Sequence, residues 1–505
     1  MGDKNRLKKI KNSYNRIKSL AYKSINKKNW NTAINRIQAA SEFAYTYNFI
    51  YTDSDLENML KILSNNVISN NNNFTPLPNK YLFYDSFGVG NKLLAHQYLR
   101  ALNSWNVNCL YVLGGKSTHI SEALLNDIKS FPKTELFIVD KKQDKTKQIQ
   151  SIYQKVKEFQ PQKALLHLTP SDAVAISFLY ACPQIEKYQI NLTDHAFWLG
   201  VGCTDFSIEF RNFGYTISIE KRGIAKEKLL LQPYYPIVLP TEFLGFPKEV
   251  TPDKTVIFSG GSYNKIYGAN GFYLIILKKI LDQNPSVIIL YAGWGDEEPF
   301  KKFIKKNHYE KRLLLLGNRI DINEVVAHCD IYLGTYPIGG GLMTQYAAIN
   351  GKPIVTFMDS DGNGNILNSF FDINPNGFLK ISFSDIEEFL LHINLLVNNK
   401  DFRKKIGEKI RSLVITPEQF EIELKQLINT QSNSRNIRTK NIDYDLIVNR
   451  YLKIDKFRMN TSIIIILVRL LGIYSIVCIP ARIIRFIPKL ILLSIKKLFK
   501  FISKQ

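Results

Sequence analysis

Three consecutive glycines, Gly339, Gly340 and Gly341, separate an apolar stretch ending at Tyr336–Pro337 from a run of small and apolar residues. Gly351–Pro353 then lead into Ile354–Phe357. A strand that ends in a glycine turn and continues as a helix presents unpaired backbone N–H groups and the positive end of the helix dipole to an anion. A diphosphate is the anion this arrangement suits, although an ordinary βα turn of a parallel sheet has the same outline. A second glycine turn follows Thr255–Phe258, where Ser259, Gly260, Gly261 and Ser262 precede Lys265. A glycine pair and a lysine at a strand end make a second clamp on a diphosphate. Arg319, in Gly317–Asn318–Arg319 after another apolar stretch, puts a guanidinium at the same edge, where it can pair with a phosphate or line a base pocket. Singly, Lys265 and Arg319 read as solvated surface charges; at the ends of neighbouring strands they point together to a site.

The first half of the chain carries a different chemistry. Asn191–Gly200 puts Asp194 and His195 just beyond a candidate strand. An imidazole held by a neighbouring carboxylate or carbonyl is the group that can take the proton from a substrate hydroxyl; its alternative is a structural histidine bonded to backbone. Asp205, Glu209 and Arg211 read as salt-bridging residues, and Phe197–Trp198 as core. Ser86–Phe87–Gly88–Val89–Gly90–Asn91 has glycines of a nucleotide fingerprint without its full spacing.

These residues need strand ends to hold them. Tyr81–Asp85, Cys109–Leu113, Glu135–Asp140, Ala164–Leu168 and Tyr188–Leu192 are strand candidates alternating with amphipathic stretches. A second series follows the stiff connector Pro233–Pro236: Thr255–Phe258, Val287–Tyr291, Arg312–Leu316, Ile331–Thr335 and Ile354–Phe357. Alternation of this kind predicts α/β architecture, with two tandem Rossmann-like domains at residues 79–236 and 237–430. Residues 1–78 read as a helix pair capping the first domain, and residues 431–505 as C-terminal helices with a basic amphipathic tail.

With 505 residues, 45% of them hydrophobic, the chain has enough apolar mass for two cores. Its net charge of +23 is weighted to the ends: ten cationic and no acidic residues lie between Lys4 and Lys28, and seven and none between Arg482 and Lys504. That distribution suits an anionic lipid surface more than a nucleic-acid groove, and no nucleic-acid motif is present. Ile463–Ile479 is a 17-residue apolar run containing Arg469, short for a spanning helix. Beyond it Arg482, Arg485, Lys489, Lys496 and Lys500 recur at steps of 3, 4, 7 and 4, one stripe of a helix whose other face is aliphatic. Such a helix is expected to lie in the membrane interface, the alternatives being a short or tilted span and a helix that meets a protein partner. Five scattered cysteines suit a reducing cytoplasm and form neither a zinc site nor a disulfide framework; no secretory signal is expected.

The second series resembles the B-type (GT-B) glycosyltransferases, and within them the O-linked N-acetylglucosamine transferase and bacterial N-glucosyltransferase group. The likeness rests on Gly334–Thr335, Gly339–Gly341, Met343–Thr344 and Ala348–Thr356, and covers residues 255–357. Two positions depart from the group: Tyr346 stands where a carboxylate usually meets the ribose, and Gly334 replaces an acidic residue. The resemblance implies that the helix start around Gly341–Thr344 holds the diphosphate, that Lys265 neutralises it, and that His195 is the base of an inverting transfer. The first domain then faces the acceptor and the second holds the donor.

A metal-independent glycosyltransferase is therefore expected, using a nucleotide sugar such as a UDP-sugar and no cofactor. Its acceptor would be a glycan, a lipid-linked saccharide or a protein, in bacterial polysaccharide or glycoconjugate synthesis at the inner face of the cytoplasmic membrane. The alternatives are a catalytically silent subunit binding an acceptor or partner transferase, and a nucleotide-sugar epimerase.

Overall fold

The computed structural model describes residues 2–68, 74–88, 94–114, 122–358, 371, 379–457, 461–480 and 482–484. The chain opens with α1 (Gly2–Asn26), α2 (Trp30–Tyr47) and α3 (Ser54–Val67), three helices where the pattern predicted a pair. Two left-handed residues make the difference. Lys28 (φ 55°) ends α1 just before Asn29 caps α2, and Asn48 (φ 45°) ends α2 before Asp53 caps α3. The caps interrupt a periodicity that reads as continuous when only apolar spacing is followed. One hydrophobic cluster joins Ile17, Phe43 and Leu60 to Leu82, Leu110 and Leu166 of the first sheet, so these helices do cap the first domain. Buried Glu57 adds a polar latch, accepting from the Gly200 N–H (2.6 Å) and the Tyr180 hydroxyl (2.7 Å).

In the first domain β1 (Leu77–Asp85), β2 (Asn108–Leu113), β3 (Thr134–Ile138), β4 (Pro161–His167), β5 (Glu186–Asn191), β6 (Phe206–Glu209) and β7 (Leu229–Leu231) alternate with helices. These are α4 (Leu94–Ser104), α5 (Glu122–Ser130), α6 (Lys145–Phe159), α7 (Ala173–Tyr180) and α8 (Asn212–Glu220). Among the described residues the strands form a parallel sheet in the order β3-β2-β1-β4-β5-β6-β7. Leu82 and Tyr84 face one apolar cluster while Tyr81 and Phe83 face another, as a sheet covered on both sides requires.

The second domain contains β8 (Thr255–Gly260), β9 (Val287–Ala292), β10 (Leu313–Gly317), β11 (Ile331–Leu333), β12 (Ile354–Phe357) and β13 (Ser382–Phe383). Its helices are α9 (Phe272–Gln283), α10 (Glu298–Lys306), α11 (Ile322–Ala327), α12 (Gly341–Ile349), α13 (Ile386–Asn398) and α14 (Lys400–Arg411). The sheet runs β10-β9-β8-β11-β12-β13 and is also parallel. The α/β architecture of two Rossmann-like domains is what the sequence pattern predicted.

The boundary at residue 430 is corrected. Helix α15 (Pro417–Thr430) leaves the second domain and packs on the first: the Phe420 ring meets Tyr98 edge-on at 5.2 Å, and the Trp105 indole N–H donates to the Glu421 carbonyl. Helices α16 (Tyr444–Phe457), α17 (Thr461–Leu471) and α18 (Tyr474–Cys478) continue back to the N-terminal helices. The apolar run Ile463–Ile479 is thus split, at Gly472 with φ +57°, and no helix among the described residues is long and apolar enough to cross a membrane. The cationic stripe beyond Arg482 lies outside the described residues.

Candidate functional site

In a parallel sheet every strand delivers its C-terminal end to one edge, and a crevice opens there where the strand order reverses. In the second domain that reversal falls between β8 and β11. The turn after β8 and the glycine loop after β11 meet at this point, and Lys265 is where they meet. It closes a 3₁₀ turn, Tyr263–Lys265, that places its Nζ 3.4 Å from the Gly339 carbonyl oxygen. A Cβ on Gly340 would stand 3.4 Å from that ammonium, and one on Gly261, whose φ is +141°, 3.9 Å from it. Side chains at either glycine would fill the cradle. The Ile338 N–H donates to the Lys265 carbonyl at 3.4 Å, tying the loops together through backbone as well.

Beside this ammonium α12 begins at Gly341, with Gly340 as its N-cap and no side chain capping it. First-turn N–H groups have no intrahelical acceptor, and together with the dipole they make the helix start electropositive. Gly339, Gly340, Gly341 and Lys265 are therefore brought together as the sequence suggested.

Other predicted donor residues lie elsewhere or face inward. The Ser259 hydroxyl is buried 2.6 Å from the Tyr273 hydroxyl, and Thr344 Oγ1 donates to the Gly340 carbonyl at 2.9 Å. Both brace the site from behind. Gly260 is demanded by packing, since a Cβ there would stand 2.8 Å from the Ala292 carbonyl oxygen. Ser262 starts the 3₁₀ turn, its carbonyl accepting from the Lys265 N–H at 3.0 Å.

Arg319 is a correction to the phosphate assignment. Its Nε and Nη2 bind the two oxygens of Asp321 at 2.7 and 2.6 Å, and Nη1 donates to the Gly245 carbonyl at 3.0 Å. Asp321 also accepts from the Leu244 N–H at 2.9 Å, so the pair buckles the interdomain connector to the second domain. Bonding to Arg319 draws the Asp321 carboxyl down to about 2. A depressed carboxylate contributes stability that is present above its unfolded value near 4 and lost as pH falls through the folded value. Arg319→Ala is thus expected to lower stability by about 1–3 kcal/mol while nucleotide affinity stays within about threefold, measured by urea unfolding and calorimetry.

The connector is held at its other end by α12. Gln345 Nε2 donates to the Tyr234 carbonyl at 3.1 Å and the Tyr346 hydroxyl to the Ile237 carbonyl at 3.3 Å. Tyr346, in the position where the resemblance leads one to seek a ribose carboxylate, serves here as a clasp on the chain between the domains.

One residue at the site edge was not singled out from the sequence. Trp294 follows β9 next to β8, is 63% exposed, and its carbonyl accepts from the Tyr263 N–H at 3.1 Å. An indole left in solvent beside the diphosphate-type cradle offers a flat face to a base or sugar. Its signal was Gly293–Trp294–Gly295, a tryptophan between two glycines at a strand end.

In the first domain Asp194 and His195 lie beyond the C-terminal end of β5. Asp194 is fully buried, bound by both Arg211 Nε and Nη2, the latter at 2.8 Å. Burial pushes its carboxyl up, but the Arg211 guanidinium and the hydrogen bonds outweigh this and hold it well below the usual carboxylate range. Its other oxygen contact is His195 Nδ1 at 3.3 Å, and the His195 side chain is 39% exposed. Asp194 therefore orients; His195 is the exposed member of the pair.

The first sheet reverses between β1 and β4. There Asp85 accepts from the N–H groups of Phe87 and Gly88, from the Tyr111 hydroxyl at 2.6 Å, and contacts His167 Nδ1 at 2.9 Å. The part of the Ser86–Asn91 turn that is described is thus wound on an internal carboxylate, which occupies the amides a phosphate would need.

A family model described as glycosyl transferases group 1 matches residues 245–413. Among curated proteins no sequence matches. Among solved structures, HepE of Anabaena in complex with UDP is similar at a TM-score of 0.50 and 14% identity, over 70% of this chain and 100% of that one. The O-GlcNAc transferase of Thermobaculum terrenum is similar at 0.50 and 12%, over 87% and 84%. A glycosyltransferase of Rickettsia africae gives 0.50 and 13%, over 70% and 98%. The fold is that of the two-domain GT-B glycosyltransferases, with an O-GlcNAc transferase among its structural neighbours.

Proposed function

We propose that this protein is a glycosyltransferase that moves a sugar from a nucleoside diphosphate donor, a UDP-sugar, to a hydroxyl acceptor. The observation that carries the reading is the Lys265 ammonium seated between the two glycine loops at the sheet reversal, 3.4 Å from the Gly339 carbonyl and beside the uncapped start of α12. As the bond from the sugar to the diphosphate breaks, negative charge grows on the leaving phosphate. A fixed ammonium and helix-start amides stabilise that charge without reorganising. They stand in for a cation, so transfer is expected to persist in EDTA.

His195 is the proposed base. With Nδ1 directed at Asp194, Nε2 is left to take the proton of the acceptor hydroxyl as its oxygen attacks the anomeric carbon. His195→Gln is expected to reduce kcat by roughly 10²–10⁴ with little change in donor KM, measured by steady-state kinetics. A parallel loss of donor affinity would contradict this division between domains. The acceptor is proposed to be a glycan, a lipid-linked saccharide or a protein of a bacterial surface polymer, met at the inner membrane face to which the C-terminal tail holds the enzyme.

A second reading, a silent subunit that binds an acceptor or partner transferase, is favoured by Tyr346, which takes the place of a ribose-binding carboxylate and is committed to the Ile237 carbonyl. Thermal shift across a nucleotide panel separates the two. A donor at about 100 times its Kd adds roughly 2.7 kcal/mol of stability, whereas a silent subunit shows no shift with any nucleotide.

A further inference from the structure

The charge at the N-terminus and the apolar run near the other end of the sequence are far apart in the chain and adjacent in the structure. Helix α18 touches α1, where Arg16 Nη1 donates to the Val477 carbonyl at 3.1 Å, and the Arg36 guanidinium of α2 lies over the Tyr474 ring at 4.8 Å. Helix α17 packs on α2 through Ile463, Ile464 and Leu467. That contact leaves large aliphatic side chains outward on α17, α18 and the turn between them, with exposed Arg469 among them: Ile465 is 51%, Ile473 77%, Ile476 56% and Val477 62% exposed. These four large side chains lie within thirteen residues and stand in water, a density unusual for a soluble surface.

The side of α1 that meets α18 is cationic. Lys9, Arg16 and Lys23 are spaced by seven residues and exposed, so they form one row along the helix, each about 10.5 Å from the next. Ile10, Tyr14, Ile17 and Ala21 anchor the opposite side of α1 in the core, which fixes the row outward. No acidic residue occurs between Lys4 and Lys28 or between Arg458 and Lys504.

We infer that α1, α17 and α18 form one composite docking face for an anionic lipid bilayer, the aliphatic side chains entering the interface and the α1 row lying along the phosphate layer. Charge decides between this occupant and a second copy of the chain. A two-fold interface would set this acid-free face against itself and oppose like charges, whereas an acidic leaflet is complementary. The inference reaches beyond the tail proposed above, because it makes the N-terminal helix half of the contact and does not depend on transfer activity.

The test is flotation of the full chain with vesicles of phosphatidylcholine alone and of equimolar phosphatidylcholine and phosphatidylglycerol. Lys9→Gln with Lys23→Gln, both outside the core, is expected to weaken partitioning to the anionic vesicles by about thirtyfold at low salt, with the difference shrinking at high salt. Ile476→Ser with Val477→Ser is expected to weaken it at both salt concentrations. If the lysine variant partitions as the parent does, the α1 contribution is overturned and the tail alone stands. If the parent floats with neither vesicle, both readings fall. A parent that is dimeric by light scattering and becomes monomeric in the Ile476→Ser, Val477→Ser variant overturns the inference in favour of a second copy.

Discussion

Lys265→Ala is expected to lower the transfer rate by on the order of 10²–10³ and to weaken UDP binding by roughly tenfold to a hundredfold. The two figures differ because the ammonium meets a diphosphate in the ground state and a more negative leaving group in the transition state, and only the second difference raises kcat. Arginine is not expected to rescue it. The guanidinium is a wide planar fork, and Gly261 and Gly340 leave a cradle in which even a Cβ would stand within 3.9 Å of Nζ. Gly340→Val, which puts branched carbon 3.4 Å from the ammonium, is expected to mimic the loss with Lys265 still present. Calorimetry with UDP and single-turnover rates check both variants. Unchanged nucleotide affinity in Lys265→Ala would remove the cradle from the donor site and with it the leading functional reading.

The largest effect on stability is expected at Arg211. Replacement by methionine keeps much of the volume but leaves the fully buried Asp194 carboxylate without its two guanidinium bonds, a loss of about 3–5 kcal/mol. The pH dependence gives this prediction its signature. In the parent, the Asp194 carboxyl is held below its unfolded value, so its contribution is present above about pH 4 and declines on acidification. In Arg211→Met burial acts unopposed by that cation and raises the carboxyl. The penalty then grows as pH rises above the unfolded value and shrinks as pH falls toward it. Urea denaturation between pH 5 and pH 8, a window set by the ordinary carboxylate range, is expected to show the two proteins converging toward the acid side. Parallel curves would mean that Asp194 finds another cation.

The parts of this molecule that were legible in the sequence are those that local pattern encodes. Lys265 and Gly339–Gly341 were found because a strand, a glycine turn and a helix start fix where backbone and side chain must be. Arg319 was located correctly at a strand end, but location does not name a partner; Asp321, two residues away, was the available clue. Ser259, near the end of β8, and Thr344, in the first turn of α12, lie beside the cradle but turn inward, a matter of which face of a strand or first turn they occupy. Strands β6 and β7 escaped because four and three residues carry too little alternation to register. Residues 417–430 fall within the span the pattern assigns to the second domain, and nothing in the residues of α15 themselves says which domain its apolar side will cover. Residues far upstream, among them Tyr98, Trp105, Lys163 and Tyr188, settle that.

The return of α15 changes how the halves of the protein can move. The second domain is entered through the connector and left again just before Thr416, so in effect it is inserted into the first. Two covalent crossings, unlike one, define a line. Relative displacement of the two lobes is therefore expected to be a swing about the line through those crossings rather than a slide of one lobe past the other.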